Sequence, residues 1–278
     1  MITVDLLLQQ SPALPTIPKV VQELIHTLDK EFVQTNEIAR QLAADQVLSA
    51  KLLRLANSAF YNVPRTIYTI EDALKMLGFS TVRTLVVSTG MAANFKPIVG
   101  FDLKRFWRYS LHSAVGARYL AFKTSCDNEL AFTVGLMHGI GRLVMLAGMA
   151  EEMKQISPAI SPYPGQDRIE AERSAFGFTY ADVGAELVQR WNFPEAFAEA
   201  IKGTATPLDS TPPKKLPAVI HLAAWRSRGE ELGVNMDTFS NTWPTAIGNI
   251  ASLSLQSVLH DMPPFSELSA GLEEMIGA

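Results

Sequence analysis

With 278 residues the chain can bury a sizeable core, yet it is short for two large independent domains. A composition of 47% hydrophobic and 19% charged residues is globular rather than disordered, and a formal net charge of −4 argues against non-specific attraction to nucleic-acid phosphates. The single cysteine, Cys126, rules out an intramolecular disulfide and reads as a buried, inert thiol.

The amino-terminal stretch MITVDLLLQQSPALP has no basic segment ahead of its short apolar patch, so it does not read as a secretory signal, and a cytoplasmic protein is expected. Leucine and alanine are frequent and β-branched runs are few, which favours helices throughout. Leu48, Leu52 and Leu55 share one face of a helix that begins after Asp45 and ends at Asn57, a residue tolerant of the left-handed conformation. Thr69 with Asp72 resembles a capping box for a two-turn helix stopped by Gly78, and Ser80 caps the next one through Val82, Leu85 and Val86, two or three residues on.

A segment from Phe101 to Trp107 leads into the helix of His112. Between Glu129 and Glu151 lies the one stretch apolar enough to be mistaken for a membrane span. Arg142 near its middle would cost about 2.5 to 3.5 kcal/mol on insertion, so a buried core helix is expected and no membrane association. Thr179 and Asp182 form a second capping-box pattern ahead of Val183, Leu187 and Trp191, and Pro194 suits the first turn of a helix ending near Gly203. Prolines at 207, 212, 213 and 217 make residues 204–217 an extended connection. Helices follow from Leu216, around Thr245 to His260, and from Phe265 to Ile276. The whole reads as all-α: a first helical lobe at 10–100, a second at 101–203, the proline-rich connection, and carboxy-terminal helices at 218–278 packing on the second lobe.

Three separate stretches carry a resemblance. The first is LPTIPKVVQELIHTL with IARQLAADQVLSAKLLRLANSAFYNVPRTIYTIEDALKMLGFSTVRTLV, containing Leu14-Pro15, Asp45, Leu53 to Asn57 and Leu77-Gly78. The second is His112 followed by GLMHGIGRLVML, and the third is AERSAFGFTYADVGAELVQRWNFPEAFAEAI. Together they resemble the HDOD branch of the HD phosphohydrolase superfamily. That resemblance implies a compact HD-like helical fold and, in the catalytic members, a metal site built from a histidine, a His-Asp pair and a distant aspartate.

Here the pair is His138-Gly139, so the carboxylate is missing, and a glycine cannot hold a metal. By the same resemblance Tyr180 stands where a further histidine is often found, Lys202 and Gly203 fall near the next, and Ala224 replaces the last aspartate. His112 and His138 alone are too few for a tight site, since catalytic zinc takes three protein ligands, and His221 is a further imidazole that could lie close. No catalytic residue, metal or cofactor is therefore assigned. Asp127 and Glu129 read as solvated residues of a polar turn, and phosphate loops, nucleophile elbows and an activated thiol are absent from the sequence.

The resulting expectation is a non-catalytic module of bacterial signalling that binds a protein partner or a small ligand through an eroded HD pocket. A small anion or nucleotide would meet His112, His138, Tyr180 and Lys202, whereas a partner protein would use Asn57, Phe60 and Tyr61. The alternatives are a metal-dependent phosphohydrolase with a non-standard site, and a nucleic-acid-binding helical regulator using Lys104, Arg105 and Arg108. For the latter cluster a solvated helix face is the plainer reading.

Overall fold

A computed structural model of the protein describes residues 2–10, 35–58, 61, 63–94, 98–156, 165–191 and 193–272. Among these residues the regular elements are helices alone, as the composition demands: α1 (Val4–Gln10), α2 (Thr35–Ala43), α3 (Gln46–Ala56), α4 (Ile70–Asn94), α5 (Leu103–Lys123), α6 (Asn128–Met137), α7 (Ile140–Gly148), α8 (Ala150–Met153), α9 (Gln166–Phe176), α10 (Tyr180–Arg190), α11 (Glu195–Ala205), α12 (Lys215–Glu231), α13 (Met236–Phe239), a 3-10 turn at Ser240–Thr242, α14 (Thr245–Ala251), α15 (Leu255–Leu259) and α16 (Phe265–Leu268). The chain divides into two units, one of Pro15–Asn94 with Ser266–Ala278, the other of Met1–Leu14 with Phe95–Phe265.

In the smaller unit, α3 starts where Asp45 accepts from the amides of Val47 and Leu48, and it buries Leu48, Leu52 and Leu55. It stops at Asn57, but not through a left-handed residue: φ there is −95°. The side chain does the work instead. Asn57 Nδ2 donates to the Leu53 and Ile67 carbonyls, and Oδ1 accepts from the Ile67 amide at 2.7 Å, tying the helix end to the following loop. Thr69 Oγ1 accepts from the Asp72 amide, as the spacing indicates. Gly78 interrupts α4 with φ 76° and ψ 161°, a conformation that favours glycine, but helix resumes at once rather than after a linker. Leu14-Pro15 and Ala59 lie outside the described residues.

The larger unit is organised around α5 and α12, which share its most extensive helix pairing, with α6 against α5 and α10 between α7 and α11. Asp102 and Asp127 cap α5 and α6, and Glu129 pairs with Arg118 at 2.8 Å, so the two carboxylates of the polar turn are spent on helix ends and an ion pair. Cys126 sits in that turn and is half-buried, a correction to the buried thiol: the turn residues around it are partly open to solvent.

The apolar stretch Asn128–Gly148 is long and apolar enough to cross a membrane and is 89% buried within the protein. It is two helices rather than the single one expected, because the chain breaks at His138-Gly139 and restarts at Ile140. The Thr179–Asp182 capping box is formed in full. The stretch taken as an extended connection is helical to Ala205, and its first residues pack inward, with Thr204, Ala205 and Pro207 buried.

Candidate functional site

The break between α6 and α7 sets the site. His138 ends α6 with Nδ1 2.6 Å from the Gly135 carbonyl and Nε2 3.2 Å from the Tyr109 hydroxyl. The first partner can only accept, so Nδ1 carries the proton and Nε2 receives the phenol's hydrogen. Both nitrogens are thereby committed. Burial holds this imidazole neutral down to a pKa of about 4, against the opposing pull of the Gly135 carbonyl and with help from the nearby Arg228 charge.

Gly139 is packed as closely as His138 is bonded. A Cβ at this position would sit 3.1 Å and 3.3 Å from two ring atoms of Phe106, a side chain 1% exposed on α5. The space where a carboxylate would start is therefore edged by an aromatic ring. Gly141, the second residue of α7, faces the backbone of α10, where a Cβ would clash with the Tyr180 carbonyl oxygen.

In front of His138 opens a cavity of about 400 Å³ within the larger unit. Its far wall is one face of α12, where His221, Ala224, Trp225 and Arg228 follow at helical spacing. Trp225 is fixed there by a hydrogen bond from Nε1 to Thr242 Oγ1 at 3.0 Å, by stacking on Phe239 and by an edge-on contact with Trp243. Ile169, Pro207, Leu208 and Ile247 supply further apolar lining.

Tyr180 enters from the start of α10, held by a buried ion pair: Arg168 Nε donates to Glu172 Oε1 at 2.7 Å, and Glu172 Oε2 accepts from the Tyr180 amide at 2.7 Å. The phenol is 4% exposed and makes no hydrogen bond among the described residues. Burial pushes its pKa well above the usual phenol range, so it is a donor at any physiological pH.

His221 donates from Nδ1 to the Thr204 carbonyl at 2.8 Å, which leaves Nε2 as an acceptor on a ring that lines the cavity. Burial again lowers its pKa to about 4, with Arg228 and His138 acting in the same direction. Both imidazoles are thus neutral in the folded protein below the pH, near 6.5, at which they protonate in an unfolded chain. The unfolded state then takes up protons first. Stability is expected to be level above about pH 7, to fall between pH 6.5 and 4 by up to about 1.4 kcal/mol per pH unit for each imidazole, and to gain nothing further from them below that. Denaturant titrations at stepped pH check this, and His221→Gln should flatten the slope; an unchanged slope would show that another group titrates there.

Of the residues singled out from sequence, His138 and Tyr180 line the cavity together with Ala224, the residue in the place of the last aspartate. His112 is turned elsewhere on α5: its ring stacks on Phe265 with centroids 5.0 Å apart, and Nδ1 stands at ion-pair distance, 2.9 Å, from Glu231 Oε1. Lys202 lies in a separate groove, 68% exposed and 3.3 Å from Asp182 Oδ1. Asn57 is spent on its own loop, Tyr61 is half-buried in the turn after α3, and Phe60 lies outside the described residues. Arg105 and Arg108 are engaged with Glu231 through its carbonyl and its carboxylate; burial pushes the pKa of that carboxylate up, but the adjacent His112 ring and Arg108 guanidinium outweigh it and draw the pKa down to about 2. Sequence reasoning missed Tyr109, Trp225 and Arg228, although the spacing of His221, Ala224, Trp225 and Arg228 on one helix face was there to be read.

The residues do not fit the metal chemistry of an HD site. Among the described residues no group of three or more His, Cys, Asp or Glu side chains is placed to hold a metal ion, the lone pair of His138 is taken by Tyr109, and His112 faces Glu231.

A helical unit of this kind, with a histidine at a helix break facing a central pocket, defines the HD-like class. The family model for the HDOD domain matches residues 14–207, and the chain belongs to the HDOD family. Among solved structures it is similar to a candidate phosphohydrolase from Shewanella amazonensis SB2B, 29% identical, with a TM-score of 0.74 over 98% of this chain and 96% of that one. It is also similar to an HDOD domain protein of unknown function from Geobacter sulfurreducens, 22% identical with a TM-score of 0.67 over 99% and 95%. A third similar structure is a candidate signal transduction protein from Marinobacter aquaeolei VT8, 22% identical, TM-score 0.68, covering 98% of this chain and 59% of that one. A sequence relative from Treponema pallidum (strain Nichols), itself uncharacterised, is 25% identical over 68% of this chain, which spans 37% of that protein's length.

Proposed function

We propose that this chain is a non-catalytic regulatory module, in which a small ligand held in the former HD pocket, rather than a metal-activated water, is what the domain responds to and relays to a protein partner in a signalling pathway. One observation carries the reading: the aspartate of the His-Asp pair has gone, and Phe106 packs where its side chain would begin. A site that had merely lost one ligand would keep an open position for it. Here the Phe106 ring would have to give by a few tenths of an ångström before even a Cβ fits, while a cavity remains beside it.

The test is metal content together with the effect of restoring the acid. Wild-type protein purified without chelator and offered manganese, iron or zinc is expected to retain less than about a tenth of an equivalent. Gly139→Asp should do no better, and should be destabilised by about 1–3 kcal/mol as the new side chain displaces the Phe106 ring. One or two tightly held equivalents in the wild type, with hydrolysis of bis(p-nitrophenyl) phosphate, would overturn the proposal and favour the phosphohydrolase reading.

A further inference from the structure

The cavity's chemistry points to a class of ligand. Among the described lining residues Arg228 is the one permanent cation and Asp209 the one carboxylate. Gly165, at the start of α9, comes close to the guanidinium, since a Cβ there would lie 3.9 Å from Arg228 Nη1, and as the N-cap residue it has no side chain with which to cap that helix start. Positive potential is therefore concentrated at one end of the cavity. The Tyr180 phenol is a buried donor with no hydrogen bond among the described residues, and His221, which lines the same space, keeps Nε2 as an acceptor. The remaining surface is mainly apolar: Ile169, Pro207, Leu208, Trp225 and Ile247.

A polyphosphate would bring several negative charges to a wall whose described residues hold one permanent cation, Arg228, since Asp209 is engaged with Arg173 at 3.2 Å and the neutral imidazoles add no positive charge. Burying charge without a partner is costly, whereas one carboxylate meets one guanidinium and one phenol. A volume of about 400 Å³ suits a body of roughly the size of a substituted phenyl ring or a medium-length acyl chain, with room to spare.

We propose that the cavity binds a small monocarboxylic acid with a mainly apolar or aromatic body, its carboxylate received by Arg228 and Tyr180 and a hydrogen-bond donor on the body received by His221 Nε2. This rests on the reading of the pocket as a ligand site and narrows it to one charge class.

Calorimetric titration of the full chain tests it with 4-hydroxyphenylacetate, 4-phenylbutyrate and octanoate, against tyrosol as the uncharged analogue and ATP as a polyanion. At least one of the acids is expected to bind one to one, with tyrosol about tenfold or more weaker than 4-hydroxyphenylacetate and ATP giving no heat. Arg228→Met should weaken acid binding by about tenfold or more with helicity unchanged, and Tyr180→Phe by a smaller factor. Equal binding of tyrosol, tighter binding of ATP, or indifference to Arg228→Met would overturn the acid class. Failure of all three acids would also overturn it. Ala224→Phe, which fills the cavity, separates the two levels. If neutral or polyphosphate compounds raise Tm in the wild type and not in Ala224→Phe, the pocket reading stands and only the acid class falls; if no compound of a metabolite panel raises Tm, both fall.

Discussion

Glu172→Ala is expected to cost about 3–5 kcal/mol, because it strands a guanidinium in the interior. Glu172 is fully buried and Arg168 is 4% exposed, and the carboxylate's two oxygens serve different partners, Arg168 Nε and the Tyr180 amide. Removing it leaves a cation without its counter-charge and a helix-start amide without an acceptor, both out of reach of bulk water. Because the same carboxylate anchors the first residue of α10, the loss should also appear at the cavity, as weaker ligand binding by a variant that still folds at low temperature. Arg168→Met with Glu172→Leu, which removes both charges together, should recover most of the stability, since a buried pair contributes far less than the penalty for breaking it. Equilibrium unfolding of the single and double variants decides the matter. A double variant as unstable as Glu172→Ala would mean that the amide bond to Tyr180, and not the stranded charge, dominates.

The second large effect is predicted at Gly141. Alanine there would place its methyl carbon 2.0 Å from the Tyr180 carbonyl oxygen and 2.4 Å from the Gly184 amide nitrogen. Neither neighbour is a flexible side chain. Both belong to the backbone of α10, which is fixed in turn by its capping box and by Glu172. Separating α7 from α10 is the only relief, and the cost is expected to be about 3 kcal/mol or more, a fall in Tm of roughly 6–12 °C. Calorimetry measures it directly. Gly135→Ala is a useful companion, since its Cβ would meet the Ala114 Cα at 2.8 Å across the α5 pairing. A loss at Gly141 below about 1 kcal/mol would show that α7 can slide on α10 without breaking the unit.

What could be read from sequence follows the range of the interactions concerned. Asp45, Thr69 and the Thr179–Asp182 box are local devices whose partners lie two or three residues away, and they stand where the spacing put them. The fold class was equally legible, because composition and helical periodicity act all along the chain. The site was legible only in part. Tyr180 and His138 lie on the cavity, but what engages the second nitrogen of His138 is a phenol 29 residues away, and what crowds a side chain at Gly139 is Phe106 on a different helix.

His112 shows the same limit from the other side. Its position on α5 is as the sequence indicated, and what turns it from the cavity is Glu231, more than a hundred residues later at the end of α12. Arg228 was hidden for a related reason. In the run AAWRSRGEE it reads as an ordinary surface cation, and only the packing of α12 reveals that its face is shared with His221 and Trp225.

The contact between Gly139 and Phe106 also bears on which mutational routes are open to this sequence. Restoring the acid alone pushes a side chain against a ring that is 1% exposed, and trimming Phe106 alone leaves a void in a close-packed interior. Each intermediate is expected to be less stable than the starting protein. On the proposed reading, a route to a metal site therefore crosses a valley: an aspartate at position 139 and room beside Phe106 have to arrive together, and His138 has then to be released from Tyr109.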